Sequence, residues 1–231
     1  MRLDKFLSNL KLGSRKDVKF MVKNGDVTLN GNPVYQYDMK IDPNYDKICV
    51  KGEHLYYKDD IILAFYKPVN YLSSNKDNIH PVLFDLIKSP YDRLDLKIAG
   101  RLDLDSEGLM ILSNNGQIIH EITHPKKKVI KVYEATLDKI LNLEDANKLL
   151  LGVELINTDG STYFAQALNL TTMDSVATIS IDEGKFHQVK KMFKKIGYEV
   201  INLKRIQIGA LKLNLEPGKY QEISIDDIFG R

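Results

Sequence analysis

A single cysteine, Cys49, stands in a chain of 231 residues. One thiol cannot build an intramolecular disulfide framework, and such sparing use fits the reducing conditions of the cytoplasm. No run of about 18 apolar residues occurs, which excludes an ordinary membrane-crossing helix. The opening stretch, MRLDKFLSNLKLGSRKD, is too charged to hold the apolar centre of a secretion signal. The phosphate-cradling patterns G-x-x-x-x-G-K-[ST] and G-x-G-x-x-G are missing, as is the serine-nucleophile pattern G-x-S-x-G. No period of about 20–50 residues marks a repeat protein. A surplus of one charge sign is missing too: 33 basic residues face 31 acidic ones, a formal net charge of +2. That total names no partner, so the distribution along the chain has to be read. The remainder, 43% hydrophobic and 28% charged, is the composition of a folded chain long enough for a real core.

The first segment is basic and helical. Leu3, Phe6, Leu7 and Leu10 recur at i, i+3, i+4 and i+7, which predicts an amphipathic helix over 2–11. Gly13 stops it, and Ser14 followed by Asp17 three residues later forms a capping box. Val18, Met21 and Val22 give the second helix its apolar side, and Gly25 ends it. Asn30-Gly31 between Val27-Thr28-Leu29 and Val34 predicts a hairpin. Within residues 1–25, Arg2, Lys5, Lys11, Arg15, Lys16, Lys19 and Lys23 face only Asp4 and Asp17, a local charge of +5. Charge alone reads equally as a solvated helix face or as a surface that contacts phosphates. Phe6 and Phe20 are the only aromatics there and fall at expected core positions. On the phosphate-contacting reading, backbone and shape recognition is therefore favoured over base reading. MRLDKFL, SRKDVKFMVKNGDVTLNG and Asn32-Pro33-Val34 together resemble the S4 RNA-binding domain over about the first fifty residues.

Residues 42–60 read as a polar, tyrosine-rich join after a short strand at 48–50, which puts Cys49 in a strand as filler. The expected domains are 1–57, S4-like, and 58–231. In the second, strands are expected at 61–66, 109–113, 129–136, 164–170 and 175–181, with helices at 138–150 and 187–196. Strands dominate without regular βαβ alternation, so the expected class is α+β with a mixed, largely antiparallel sheet flanked by helices and loops. In the second helix Phe186, Val189, Met192, Phe193 and Ile196 form the expected buried stripe, and Lys190, Lys191, Lys194 and Lys195 the other side.

One motif invites a zinc reading. His120-Glu121-Ile122-Thr123-His124 fits H-E-x-x-H, which needs both imidazoles on one continuous helical face. Pro125 directly after His124 pushes that residue away from helical dihedrals, and Lys126, Lys127 and Lys128 repel a nearby dication. No metal is expected. The segment GRLDLDSEGLMILSNNG, residues 100–116, is a polar loop feeding an apolar strand. Its Asp103, Asp105 and Ser106 suit turn and cap chemistry as well as they suit catalysis.

GRLDLDSEG also resembles the signature loop of the RNA pseudouridine synthases. Two further stretches agree in order: Lys131-Val132-Tyr133, similar to the family's K-x-Y strand, and Glu183-Gly184-Lys185-Phe186-His187-Gln188-Val189-Lys190-Lys191-Met192, followed by Leu203-Lys204-Arg205-Ile206-Gln207-Ile208-Gly209. Tyr66-Lys67-Pro68, Ser73-Ser74 and Leu215-Glu216-Pro217-Gly218 add a likeness to the type acting on small-subunit ribosomal RNA. The resemblance implies isomerisation of uridine to pseudouridine in 16S rRNA by base flipping, without cofactor. The alternatives are the same reaction on 23S rRNA, or a non-catalytic S4-type rRNA-binding protein. It implies Asp103 as the catalytic carboxylate, Lys190 as its cationic partner, and Tyr133 as the aromatic that stacks on the target base. Many family members have arginine where Lys190 stands, and a lysine is a point charge without the bidentate fork. It implies that Arg101 fills the space left by the flipped base or holds a phosphate; a salt bridge to Asp105 or Glu107 is the plainer alternative. Arg2, Lys5, Arg15, Lys16, Lys19, Lys23, Lys126, Lys127, Lys128, His187, Gln188 and Lys191 complete the expected RNA contacts. Lys131 joins the cluster at 126–128, and 185–205 forms a third basic cluster of charge +6. The expected partner is 16S rRNA within a ribosomal assembly intermediate, met by a cytoplasmic monomer.

Overall fold

The computed structural model describes residues 1–231, which divide into two compact units. The first comprises Met1–Ile61 with two later segments, Ile87–Lys97 and Ser113–Asn115. It begins with α1 (Leu3–Asn9) and α2 (Arg15–Lys23). Leu3, Phe6, Leu7, Leu10, Val18 and Val22 are buried, as their spacing requires. The capping box is formed: Ser14 Oγ accepts from the Asp17 amide, and the Asp17 carboxylate accepts from the Ser14 amide at 2.9 Å. β1 (Val27–Leu29) and β2 (Asn32–Pro33) flank Asn30 and Gly31, whose φ angles of 51° and 87° are those a tight hairpin needs. β3 (Ile48–Val50) pairs with β1, and β4 (Glu53–His54) extends the sheet to the order β2-β1-β3-β4. Cys49 is half-buried in β3 between the inward-facing Ile48 and Val50. Phe20, expected in the core, is 68% exposed. Val18 and Val22 already fill the buried stripe of a nine-residue helix, and Phe20 lies off it. Asn114, in one of the later segments, ties the unit's end by accepting from the Ile61 amide and donating to the Lys58 carbonyl.

The second unit contains β5 (Ile62–Lys67), β6 (Lys97–Ile98) and β7 (Ser106–Ser113) except for Lys97 and Ser113, then α3 (Gly116–Thr123), β8 (Lys131–Leu137), α4 (Leu143–Leu151), β9 (Val153–Ile156) and β10 (Thr162–Ala165). It continues with β11 (Asn169–Met173), β12 (Val176–Ile181), α5 (Gln188–Lys195), β13 (Val200–Ile208), β14 (Leu211–Lys212), β15 (Tyr220–Glu222) and α6 (Ile225–Phe229). Its nine-stranded sheet has the order β11-β12-β8-β13-β7-β5-β15, with β14 on β13 and β6 on β7. β13 runs antiparallel to β8 and parallel to β7, so the sheet is mixed and largely antiparallel, and the class is α+β. β5 and β7 are almost wholly buried and read as apolar runs, whereas β8 alternates buried and half-buried. Ile62, Ala64, Leu109, Ile111, Ile118, Ile122, Ile208 and Ile228 pack into one cluster that seats α3 and α6 on the sheet. Each fully buried isoleucine or leucine there contributes roughly 1.5–3 kcal/mol.

Two expected elements are corrected. The strand at 164–170 is two strands in two sheets. Ala165 ends β10, which pairs only with β9, and Asn169 begins β11 on the edge of the large sheet. The amides of Ala167 and Leu168 bond in between to Leu149 and Ser180, so the apolar run turns a corner. The helix at 138–150 starts only at Leu143, because Asn142 caps it by accepting from the Asp145 amide at 2.8 Å.

Gly108 in β7 fixes the spacing that matters for the site. Its φ is 114°, and a Cβ there would lie 2.3 Å from the Arg205 carbonyl oxygen. Only glycine lets β13 approach β7 this closely.

Candidate active site

The loop between β6 and β7 is held from two sides. Ser73 Oγ donates to the Leu102 carbonyl at 2.7 Å and accepts from the Leu102 amide at 3.1 Å. Lys67, at the end of β5 and fully buried, donates to the carbonyls of Ser106 at 2.6 Å and Pro68 at 2.9 Å. Burial pushes the Lys67 ammonium down to about 8, against the attraction of Asp103, Asp105 and Glu107. The loop so pinned presents Asp103, whose side chain is partly exposed.

The second wall comes from the turn into α5. His187 adopts a left-handed φ of 54°, a costly conformation for a non-glycine residue. Its Nε2 lies 3.0 Å from Asp103 Oδ1. Lys190 Nζ lies 3.5 Å from Asp103 Oδ2 and 2.6 Å from Asp105 Oδ1. Lys190 therefore meets Asp103, as the resemblance implied, but divides its charge with Asp105, whose carboxyl it holds below the usual carboxylate range. A compact ammonium can be shared in this way.

The floor is built on β8 and β13. Tyr133 is buried, and its register partner across the ladder is Arg205. The guanidinium lies 5.9 Å from the Tyr133 ring centroid, with Nη1 3.5 Å from the phenol oxygen. Nε donates to the Leu109 carbonyl at 2.7 Å and Nη2 points to Met110 Sδ. Lys131 donates to the Val129 carbonyl at 2.8 Å, and burial pushes its ammonium down to about 8. Asp103, Lys131, Tyr133, His187 and Arg205, with Arg101, line a cavity of about 80 Å³. A carboxylate held by the Lys190 ammonium and the His187 imidazole, beside an aromatic wall in a small cavity, suits a flat uncharged ring and a reaction that builds charge on it.

Several expected contacts need correcting. Arg205 is 2% exposed and Lys131 is buried, so neither belongs to a phosphate-facing cluster. Gln188 is 3% exposed; it accepts from the Lys185 amide and donates to Glu183, which makes it the clamp of the turn before α5 and gives RNA no face to touch. Phe186, expected in the buried stripe of α5, is 60% exposed, while Val189, Met192 and Phe193 are buried. The left-handed turn at His187 throws Phe186 outward, because Phe186 precedes the helix and does not share its periodicity. Arg101, Lys126, Lys127 and Lys128 are exposed, with Lys128 3.7 Å from Asp182. Lys191 donates to the Ile156 carbonyl. In the first unit Lys5, Arg15, Lys16 and Lys23 are exposed, Lys19 lies over the Tyr37 ring, and Arg2 pairs with Asp4. His124, at ψ 125°, has left α3, and its Nδ1 accepts from the Lys126 amide, in keeping with the effect expected of Pro125. No group of three His, Cys, Asp or Glu residues is placed to hold a metal ion.

Lys67, Ser73 and Arg205 escaped assignment from the residues alone. A lysine closing a strand that is otherwise wholly apolar is the signal that Lys67 is buried. Arg205 follows Lys204 on a strand rich in isoleucine on both faces, so alternation does not say which cation points in.

Comparison with known proteins bears on this geometry. The family model for RNA pseudouridylate synthase matches residues 61–195, and that for the S4 domain matches residues 1–46. A Bacillus subtilis (strain 168) protein named as an uncharacterized RNA pseudouridine synthase, YtzG, is 40% identical, with 99% of this chain and 97% of that protein covered. The ribosomal small subunit pseudouridine synthase A of Vibrio vulnificus (strain CMCP6) is 34% identical over 99% of this chain and 98% of its own. A crystal structure of a pseudouridylate synthase superposes with a TM-score of 0.66 at 30% identity, covering 99% of this chain and 98% of the other. The matched span contains Asp103, Tyr133 and Lys190, and the likeness runs the length of the chain: the protein belongs to the RNA pseudouridine synthase family, with an S4 domain at its N-terminus.

Proposed function

We propose that this protein converts one defined uridine of 16S ribosomal RNA to pseudouridine, with Asp103 as the reacting carboxylate. The observation that carries the reading is the placement of Asp103 between His187 and Lys190 at the mouth of a cavity floored by Tyr133. The target uridine leaves its stack to enter such a cavity. The bond from ribose carbon 1′ to ring nitrogen 1 breaks, the base turns, and carbon 1′ bonds to carbon 5. Carbon 5 loses a proton and nitrogen 1 gains one, so nothing is oxidised or reduced. Lys190 and His187 hold the carboxylate aimed, Tyr133 packs on the base and receives the carbon-5 proton, and Arg101 at the rim meets the backbone or the gap left by the base. The choice of small-subunit RNA rests on the full-length likeness to the Vibrio vulnificus enzyme and on the basic S4 domain. We place the protein in the cytoplasm as a monomer acting on an assembly intermediate, with domains at 1–57 and 58–231.

The test is to map pseudouridines in both ribosomal RNAs from cells with and without this protein. Loss of one site in 16S RNA is expected. Loss of a site in 23S RNA moves the target to the large subunit, and loss in neither overturns the ribosomal reading.

A further inference from the structure

Asp103 lines two spaces. One is the cavity floored by Tyr133; the other, adjoining it through Arg101, Lys185 and His187, is a cleft of about 430 Å³ that reaches Leu72, Leu104 and Phe186. Phe186 is the unexpected feature of that cleft. Its ring stacks on the His187 imidazole with centroids 3.7 Å apart and planes 20° apart, yet more than half of the side chain remains open to solvent. The strained turn at His187 maintains this arrangement. It aims His187 at Asp103 and, one residue earlier, leaves a phenylalanine outside the core. One cation lies close to the ring, Lys191 Nζ at 5.4 Å from its centroid; Lys185, whose ammonium sits over the Tyr163 ring, and Arg101 share the cleft. An exposed aromatic ring in a cleft that also holds cations is the chemistry that binds single-stranded nucleic acid, with stacking on the base and ion pairing to the phosphates.

We propose that Phe186, backed by His187, is a stacking platform for the nucleotide next to the flipped uridine, and that the cleft is a second nucleobase subsite. Two bases then lie next to each other at Asp103, the target in the cavity floored by Tyr133 and its neighbour on Phe186. The platform grips an unpaired neighbour through its π-face, so it favours a target in an unpaired loop over one in a continuous duplex. This rests on the assignment of Asp103 as the reacting residue.

The chain contains no tryptophan, so Phe186→Trp places the sole indole on the platform. That variant is titrated with a ten-nucleotide oligouridylate and with a strand of ten ribose phosphates lacking bases; binding of each is followed independently by anisotropy of an end label. Oligouridylate is expected to quench the indole emission on binding, and the baseless strand is expected to bind without quenching. Phe186→Ala is expected to weaken oligouridylate binding by about 5- to 100-fold, to leave the baseless strand unaffected, and to unfold at the wild-type temperature because the lost ring was exposed. Unchanged indole emission while oligouridylate is bound, or equal affinity of Phe186→Ala and wild type, overturns the platform. Pseudouridine formation by wild type and by Asp103→Asn, scored separately, shows whether the assignment of Asp103 fails instead.

Discussion

Lys67 shows how one buried side chain shapes the site without lining it. Its ammonium is fully buried, has no carboxylate within hydrogen-bond distance, and braces the Asp103 loop through the Ser106 carbonyl. Together with Lys131 it links stability to pH. Both titrate near 8 when folded and near 10.5 when unfolded. Between those values the unfolded chain binds more protons, so stability rises as pH rises through the window, and the penalty is fully present below about 8. Denaturant midpoints measured between about pH 7.5 and 10 should climb for wild type and climb less for Lys67→Met, by up to about 3 kcal/mol. An identical slope in the variant would place the Lys67 charge elsewhere. Asp103, Tyr133 and Lys190 were legible as candidates only through their motifs. Residue chemistry alone left Asp103 as a turn aspartate and Tyr133 as a strand tyrosine, because neither type is rare in those settings.

At the scale of elements, the close contact of β7 with β13 carries both the sheet and the Tyr133–Arg205 pair. Gly108→Ala drives a Cβ into the Arg205 backbone at a positive φ. It is expected to cost about 3–5 kcal/mol, measured by urea unfolding, and to reduce activity even where the protein stays folded. A loss below about 1 kcal/mol would mean that the strands separate freely. Local signals located α1, α2, the Asn30-Gly31 hairpin and most strands, since caps, turns and alternation act within a few residues. The failures share one cause. The corner at 166–168 is set by bonds to Leu149 and Ser180, and the outward turn of Phe186 by the strained dihedral at His187. Apolar content alone carries neither piece of information. Phe20, off the buried stripe of α2, fails for the same reason.

For the whole molecule, the net charge of +2 is a sum over unlike surfaces. Arg15, Lys16 and Lys23 of α2 are exposed and Lys19 is half-buried over Tyr37, while Lys131, Lys67 and Arg205 are buried inside the second unit. RNA affinity is therefore assigned to fewer cations than the sequence counts. Replacing Lys16, Lys19 and Lys23 by glutamine should weaken RNA binding and flatten the dependence of log affinity on log salt by about 2. An unchanged slope would show that this face does not touch phosphates. The central claim is that one carboxylate, Asp103, does the chemistry. It is tested most directly by Asp103→Asn, with RNA binding and pseudouridine formation measured on the same preparation. The account predicts bound RNA and no pseudouridine; turnover retained in the variant would contradict it.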